Sequence, residues 1–403
     1  MTTSTDILKT LKEKFNTFLD KTNFDLIYKW ATFIIIPTYI ITAALGNEIF
    51  FFYLFLAILK ILKDGYKKCG LEVVFLIAII GLMLSSVDEG QTKIIKNCLR
   101  VARIISLPIL MSQYKPIKEL KTYLILLFSG LAIYGVIRIN AFPIVQGYSD
   151  RAFCFSNFYM NSSVIAFSGY LFFLTLFLKR KDKVKKIISV FFALLFLYLI
   201  AKQGVRGSYF TFAILTPAIV ICELKKRILK FIPLIAMVIF ILLTIIKFTA
   251  PQFVETTQER VTSIFNKNQG SNRGRLFMWN KGVEVFSENP INGVGYKRFN
   301  KDHIDLKNDE FEWAFWHAHN ELITMLAETG LIGTLAWLLF KIKLLWLLFK
   351  RKKCLISSFI LYLFIAFEIH NIFEVYLFER VAYIYVYLLI GLCWIKEEEK
   401  NDV

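Results

Sequence analysis

Apolar residues along this chain fall in blocks of roughly 16–23, the length an α-helix needs to cross a hydrocarbon core about 30 Å thick. Twelve such blocks are legible, at 27–45, 47–62, 71–87, 98–114, 121–142, 157–178, 187–202, 208–223, 230–249, 321–340, 355–375 and 381–396. Inside lipid every backbone polar group must be paired within the protein, so blocks of this length predict helices. The tenth has two readings. It starts at Glu321 and ends before Lys341, or it starts near Leu331 and lets Lys341 and Lys343 snorkel to the boundary.

The intervening polar segments divide the chain. Residues 1–26 are an amphipathic segment, with Ile7, Leu8, Leu11, Phe15 and Leu19 at helical spacing among lysines, as in a helix lying on a membrane surface. No short apolar core with a small-residue cleavage site appears there, which argues against a secretory signal. Spans one to nine occupy 27–249, a large loop 250–320, spans ten to twelve 321–396, and a tail 397–403.

The loop has helical periodicity of its own. Leu276, Trp279, Val283 and Phe286 recur at helical spacing, as do Val254, Val261 and Phe265. Asn289-Pro290 stops the former helix and Gly293-Val294-Gly295 reads as a tight turn. Phe311, Phe315, Leu322 and Leu326 predict a third helix running into the tenth span. The fold class expected is an all-α polytopic membrane protein with one helical cap.

Charge sets the orientation. With the N-terminus cytosolic, the short inner loops carry 21 Lys and Arg and the short outer connections 6. That asymmetry follows the positive-inside rule and places both termini inside and the 250–320 loop outside. The net charge of +18 is therefore spread over topology-setting loops. No basic stripe interleaved with aromatics marks a soluble nucleic-acid-binding face. The six cysteines are scattered without a CxxC pair, which indicates neither a disulfide framework nor a zinc site.

Candidate chemistry gathers where the loop meets the spans. His319 stands at the outer end of the tenth block, where a neutral imidazole can accept a proton. An isolated histidine there is more commonly an interfacial polar group. His317, two positions away, would face another side of a helix, so no metal pair is expected. Arg206 sits in the turn Lys202-Gln203-Gly204-Val205-Arg206-Gly207-Ser208 that opens the eighth block, and a helix N-terminus with an arginine suits an anion. Arg275 lies on the cap helix. Arg100 and Arg103 lie within the fourth block, where charges are costly and face a partner or cavity. Glu321 reads as exposed, Glu328 as needing a partner, and Glu368, His370 and Glu374, with Arg380, as a structural polar network. The Gly293-x-Gly295 pair does not complete a dinucleotide-binding turn.

Three segments together resemble the O-antigen ligase and polymerase superfamily of membrane glycosyltransferases. One is Gly204-Val205-Arg206-Gly207. The second is Arg275-x-x-x-Trp279 followed by Asn289-Pro290-Ile291-Asn292-Gly293-Val294-Gly295. The third is His319-Asn320 followed by Gly330 and Gly333, which fits the ligase pattern H-[NSQ]-x9-G-x-x-[GTY].

The resemblance implies a fold like the C-type glycosyltransferases and a periplasmic active site in a bacterial inner membrane. It also implies inverting transfer of a glycan from undecaprenyl pyrophosphate to the lipid A-core oligosaccharide, without metal or cofactor. His319 would be the catalytic base or positioning group. Arg206, Arg275, Arg103 and Arg100 would hold the pyrophosphate. Asn320, Gly330, Gly333, Trp279, Pro290, Gly293 and Gly295 would complete the motifs. The expected partners are the lipid-linked donor, the lipid A-core acceptor and membrane lipids, with no nucleic acid. The rivals are an O-antigen polymerase, for which the short 143–156 loop is unusual, and a protein O-oligosaccharyltransferase, for which no domain follows the twelfth block. A transporter or flippase would show repeated halves and broken spans, whereas this chain has one asymmetric loop.

Overall fold

A computed structural model describes residues 4–42, 46–85, 91–141, 155, 159–225, 258–259, 262, 266, 270–299, 317–352, 354–375 and 380–395. Among these residues the regular elements are all helical. In chain order they are α1 Ser4–Lys21, α2 Phe24–Thr42, α3 Gly46–Asp64, α4 Glu72–Met83, α5 Gln91–Ile105, α6 Leu107–Met111 and α7 Leu120–Ala141. There follow α8 Tyr159–Lys179, α9 Lys183–Gln203, α10 Arg206–Leu224, α11 Gly270–Glu288, α12 Glu321–Lys350, α13 Leu355–His370 and α14 Arg380–Gly391.

Among the described residues, five stretches are long and apolar enough to cross a membrane: Leu120–Asn140, Asn161–Lys179, Lys183–Gln203, Arg206–Leu224 and Glu321–Lys350. Glu72–Met83, Leu355–His370 and Val381–Trp394 are shorter apolar helices. The described residues, helical in all their regular elements, are those of a polytopic membrane protein. The predicted ninth span, at 230–249, lies outside the described residues, as do most of the 254–265 cap segment and Phe311 and Phe315.

The fourth predicted span is not one helix. Its helix begins at Gln91, is amphipathic, and ends at Ile105; Ser106 turns the chain before the short α6. Arg100 and Arg103 therefore ride on an amphipathic helix instead of sitting inside a continuous apolar span.

The aromatic core lies between α8, α13 and α14. Phe359 packs edge to face on Phe128 of α7 and on Phe172 of α8, with ring centroids 5.7 and 5.3 Å apart. Tyr383, Tyr385 and Tyr387 on α14 are all buried. Such pairs add roughly 0.5–1.5 kcal/mol each beyond the area they bury.

The tenth span departs most from its linear reading. Gly330, inside α12, has φ 58° and ψ −160°, a backbone region open essentially to glycine. The helix folds back there. A straight helix rising about 1.5 Å per residue would separate Glu321 from Lys341 by about 30 Å. In the structure the Lys341 ammonium lies 2.7 Å from the Glu321 carboxylate. The segment is a short limb, 321–329, folded against a long limb, 331–350. Lys341 accordingly does not snorkel, and Glu321, read from the sequence as exposed, is 3% exposed.

The cap closes over that fold. Breaking the helix at Gly330 frees the carbonyls of Ala327 and Glu328 and the amides of Leu331 and Ile332. The turn after α11 takes up all four. The Val294 and Gly295 amides donate to Ala327 and Glu328 at 3.0 and 2.7 Å, and the Leu331 and Ile332 amides donate to the Pro290 and Ile291 carbonyls at 2.9 and 3.2 Å. The approach requires glycine on both sides. A Cβ on Gly293 would meet the Glu328 carbonyl carbon at 2.4 Å, and one on Gly330 the Ile291 oxygen at 2.3 Å. The Glu328 carboxylate finds its partners in the same turn, accepting from the Lys297 and Phe299 amides at 2.9 and 3.3 Å.

Helix α11 docks on this clasp through Met278, Gly282 and Val285, against Ala318, Ile323 and Ala327. The apolar face expected from periodicity is not the packed one: Val283 is exposed, and Leu276 and Trp279 turn toward a cleft. The long limb of α12 meets α4 over small residues. A Cβ on Gly81 would lie 2.5 Å from the Ala336 Cβ, and one on Gly333 3.1 Å from the Gly81 oxygen. Small residues let membrane helices approach closely, where packing supplies most of the attraction.

Candidate active site

Three pieces of chain built by these rules meet at one end of the bundle. The first is the turn between α9 and α10. Gly204 caps α9 in the left-handed conformation, with φ 62°, and Val205 precedes the first residue of α10, Arg206. Val205 itself makes no side-chain cap bond to that first turn. An arginine at a helix N-terminus opposes the helix dipole, a local conflict that an anion bound there would relieve.

The second piece is α11. Asn272, Arg275, Leu276 and Trp279 fall on one stripe of this helix, at i, i+3, i+4 and i+7, and face α10 across an open cleft. Arg206, Gly207, Phe210 and Phe373 form the rest of its lining, and the cleft is open to solvent. Two guanidinium groups from segments 69 positions apart thus line one cavity. The Trp279 indole N–H is buried, with no hydrogen-bond partner among the described residues. Arg100 and Arg103 are not among the lining residues: Arg100 donates to Asn97 Oδ1 at 3.3 Å, and the Arg103 guanidinium lies 5.1 Å from the centroid of the Phe51 ring.

The third piece is the turn entering the short limb. Asn320 is the N-cap of α12; its Oδ1 accepts the Ile323 amide at 3.1 Å and its Nδ2 donates to the Ile372 carbonyl at 3.2 Å. Such a cap is worth about 1 kcal/mol. Here the second bond also ties the turn to the segment after α13. His319 precedes the cap in a left-handed conformation, with φ 49°. The chain is not helical at 317–320, so the argument that residues two apart face different sides does not hold. The two imidazoles pack together, their centroids 4.4 Å apart.

Both rings converge on Glu374. His317 Nε2 and His319 Nδ1 each lie 3.2 Å from Glu374 Oε1. The His319 backbone amide donates to His317 Nδ1 at 3.1 Å, which leaves the His317 proton on Nε2, facing the carboxylate. His319 in turn can donate from Nδ1 to Glu374, leaving Nε2 as the acceptor. Burial pushes the His317 imidazole down to about 4, against the pull of Glu374. Burial would raise the Glu374 carboxyl, but the His319 hydrogen bond and the charges of His317, His319 and Arg275 outweigh it and hold it at about 2. The group at neutral pH is therefore an ionised carboxylate between two imidazoles, with Arg275 close enough to contribute to the field.

Sequence reading placed Glu374 in a structural network with Glu368. The structure separates them: Glu368 pairs with Lys341, and Glu374 joins the histidines. Nothing in local spacing marks Glu374, because its partner is 55 positions away. Only its place at the end of an apolar block, level with His319, offered a signal.

Atoms of His317, His319 and Glu374 all lie within 4.8 Å of one another, the spacing of a His₂Glu metal set. The tautomer argues against that use. A metal on His317 Nε2 requires a lone pair there, while the His319 amide already occupies the lone pair of Nδ1. Histidine ligands instead normally donate their second N–H outward. The cluster as folded is a hydrogen-bonded triad.

No curated protein matches the chain. Residues 191–338, the stretch that holds Arg206, Arg275, Trp279, the 289–295 turn, His319, Gly330 and Gly333, match the family model described as O-antigen ligase.

Proposed function

We propose that this protein is an O-antigen ligase. It transfers a glycan from undecaprenyl pyrophosphate to a hydroxyl of the lipid A-core oligosaccharide, at the periplasmic face of a bacterial inner membrane. The family carries the substrate class, a lipid-linked glycan. The observation that carries the reading of the site is the His319–Glu374 pair beside a cleft lined by Arg206 and Arg275.

The chemistry follows from these groups. Glu374 accepts the Nδ1 proton of His319 and orients the ring, so that Nε2 is the proton acceptor. The acceptor hydroxyl gives its proton to Nε2 as its oxygen bonds to the anomeric carbon. The bond from that carbon to the pyrophosphate oxygen breaks with its electron pair. Arg206 and Arg275 take up the charge developing on the leaving group, since guanidinium forks match phosphate oxygens in charge and geometry. Attack from the face opposite the leaving group inverts the anomeric centre. Trp279 and the phenyl rings of Phe210 and Phe373 offer apolar walls where a polyprenyl chain leaves the cleft.

An O-antigen polymerase uses the same donor and adds glycan to glycan. The His319-Asn320 and Gly330-x-x-Gly333 pattern favours the ligase. Lipopolysaccharide analysis of a deletion strain separates the two. Loss of a ligase leaves lipid-linked polymer and bare core; core bearing a single repeat would identify a polymerase.

A further inference from the structure

Below the His319–Glu374 pair lies a second set of buried charges that the reaction does not use. Lys341, on the long limb of α12, places its ammonium 2.7 Å from Glu321 Oε1 and 2.6 Å from Glu368 Oε2. The same Glu321 oxygen accepts the Trp337 indole N–H at 2.7 Å. Glu321 and Lys341 are 3% and 9% exposed. Taking ions out of water costs several kcal/mol each, and apolar residues of similar volume usually serve stability as well or better. A set of two carboxylates and one ammonium in a membrane protein is therefore a poor stabiliser, and its use is to be sought in what it connects.

It connects the two segments that carry the dyad. Glu321 is two residues beyond His319, and Glu368 is six residues before Glu374. Lys341 belongs to neither segment and grips both. Two further bonds run across the same seam: the Glu321 amide donates to the Asn371 carbonyl at 2.9 Å, and Asn320 Nδ2 donates to the Ile372 carbonyl at 3.2 Å. The short limb of α12 and the end of α13 are thus fastened beside the point where His319 meets Glu374. That contact spans two chain ends that local structure alone does not bring together.

We propose that Lys341, by bridging Glu321 and Glu368, is a positioning residue for glycosyl transfer that sets the His319–Glu374 geometry without touching either substrate. This inference rests on the reading of His319 as the proton acceptor. Displacements of about 1 Å in a catalytic contact can cost up to 10²-fold in rate, so loosening the bridge lowers turnover while leaving donor binding at the arginine cleft in place.

The test uses the full-length protein in nanodiscs with lipid-linked donor and core acceptor, and reads kcat and donor KM separately. Glu368→Gln is the primary variant, because it leaves Lys341 and Glu321 as a charge-balanced pair. The expected result is a fall in kcat of about 10- to 100-fold with donor KM changed less than about threefold. Combined with Glu374→Gln, it lowers kcat no further than Glu374→Gln alone, since both act through one contact. Lys341→Arg keeps more activity than Lys341→Met. Thermal unfolding of each variant gives the folded fraction; should Lys341→Met not fold, the Glu368→Gln cycle decides. Multiplying effects of Glu368→Gln and Glu374→Gln, or wild-type kcat in Glu368→Gln, overturn the proposal. An active His319→Ala enzyme would instead remove the reading beneath it, and that measurement is independent of Lys341.

Discussion

The imidazole of His319 and the carboxylate of Glu374 meet 3.2 Å apart across 55 positions of chain. Neither does the proposed chemistry alone: the carboxylate sets the tautomer, and the tautomer leaves Nε2 to accept the proton. His319→Ala should therefore lower kcat by about 10²–10⁴-fold, the usual worth of general-base assistance. Glu374→Gln, which keeps size and loses charge, should show a smaller loss in kcat. Initial rates with purified protein check both, and a His319→Ala enzyme within a few-fold of wild type ends the assignment.

Arg206 and Arg275 line one cleft from different elements, one at the start of α10 and one on the cap helix. Lysine keeps the charge but not the planar fork that grips two phosphate oxygens. Arg206→Lys and Arg275→Lys should each lose about 1.5–3 kcal/mol of interaction with the leaving group, read as reduced kcat/KM. Arg100→Ala and Arg103→Ala, outside the lining, should retain most activity. The same assay on all four separates the pair from its neighbours.

Gly293 and Gly330 hold the cap against the folded-back helix. Alanine at either position meets backbone atoms at 2.3–2.6 Å and adopts a positive φ. The conformational term costs about 1–2 kcal/mol and the overlap about 1–3 kcal/mol more. Lower yield and a lower unfolding temperature in detergent are expected, with activity lost in proportion to folded protein. An undiminished unfolding temperature for Gly330→Ala would mean that the clasp does not hold the cap.

Acid should loosen the site through His317 before it reaches Glu374. His317 is held at about 4, below its free value near 6.5, so the unfolded chain binds more protons between those values and stability falls as pH drops through that window. Glu374 is held at about 2, so its contribution is present above its free value near 4.3 and is lost only as pH falls toward 2. Between pH 7 and pH 5 the unfolding temperature should decline, and His317→Gln should flatten that decline. Unfolding scans at several pH values measure the slope directly.

Chelation should leave turnover unchanged. The His319 amide occupies the Nδ1 lone pair of His317, which puts a proton on Nε2 where a metal would need a lone pair, and in the proposed reaction Arg206 and Arg275 supply the positive field. Rates before and after EDTA, then with added Mg²⁺, Mn²⁺ or Zn²⁺, decide it; loss on chelation with recovery on one of these ions would show a metal in the reaction.

Hydropathy in the linear chain was enough to establish a helical membrane protein, because the cost of an unpaired backbone in lipid leaves little alternative. The chain also carried the Arg275-x-x-x-Trp279 stripe, since a helix brings residues at i and i+4 to one face, and it carried Arg206 and the His319-Asn320 pair as short motifs. What it could not carry was every relation that needs a reversal of direction. Gly330 reads as one small residue in an apolar block; its backbone angles fold α12 on itself, bury Glu321 and draw Lys341 inward. The same fold leaves four backbone groups open, and only their bonds to the 290–295 turn explain why both glycine motifs occur in one chain. Glu374 read only as part of a structural network with Glu368, His370 and Arg380, and nothing local paired it with His319. Its role comes from packing between distant segments, where contacts are chosen by the whole fold and not by neighbours in sequence.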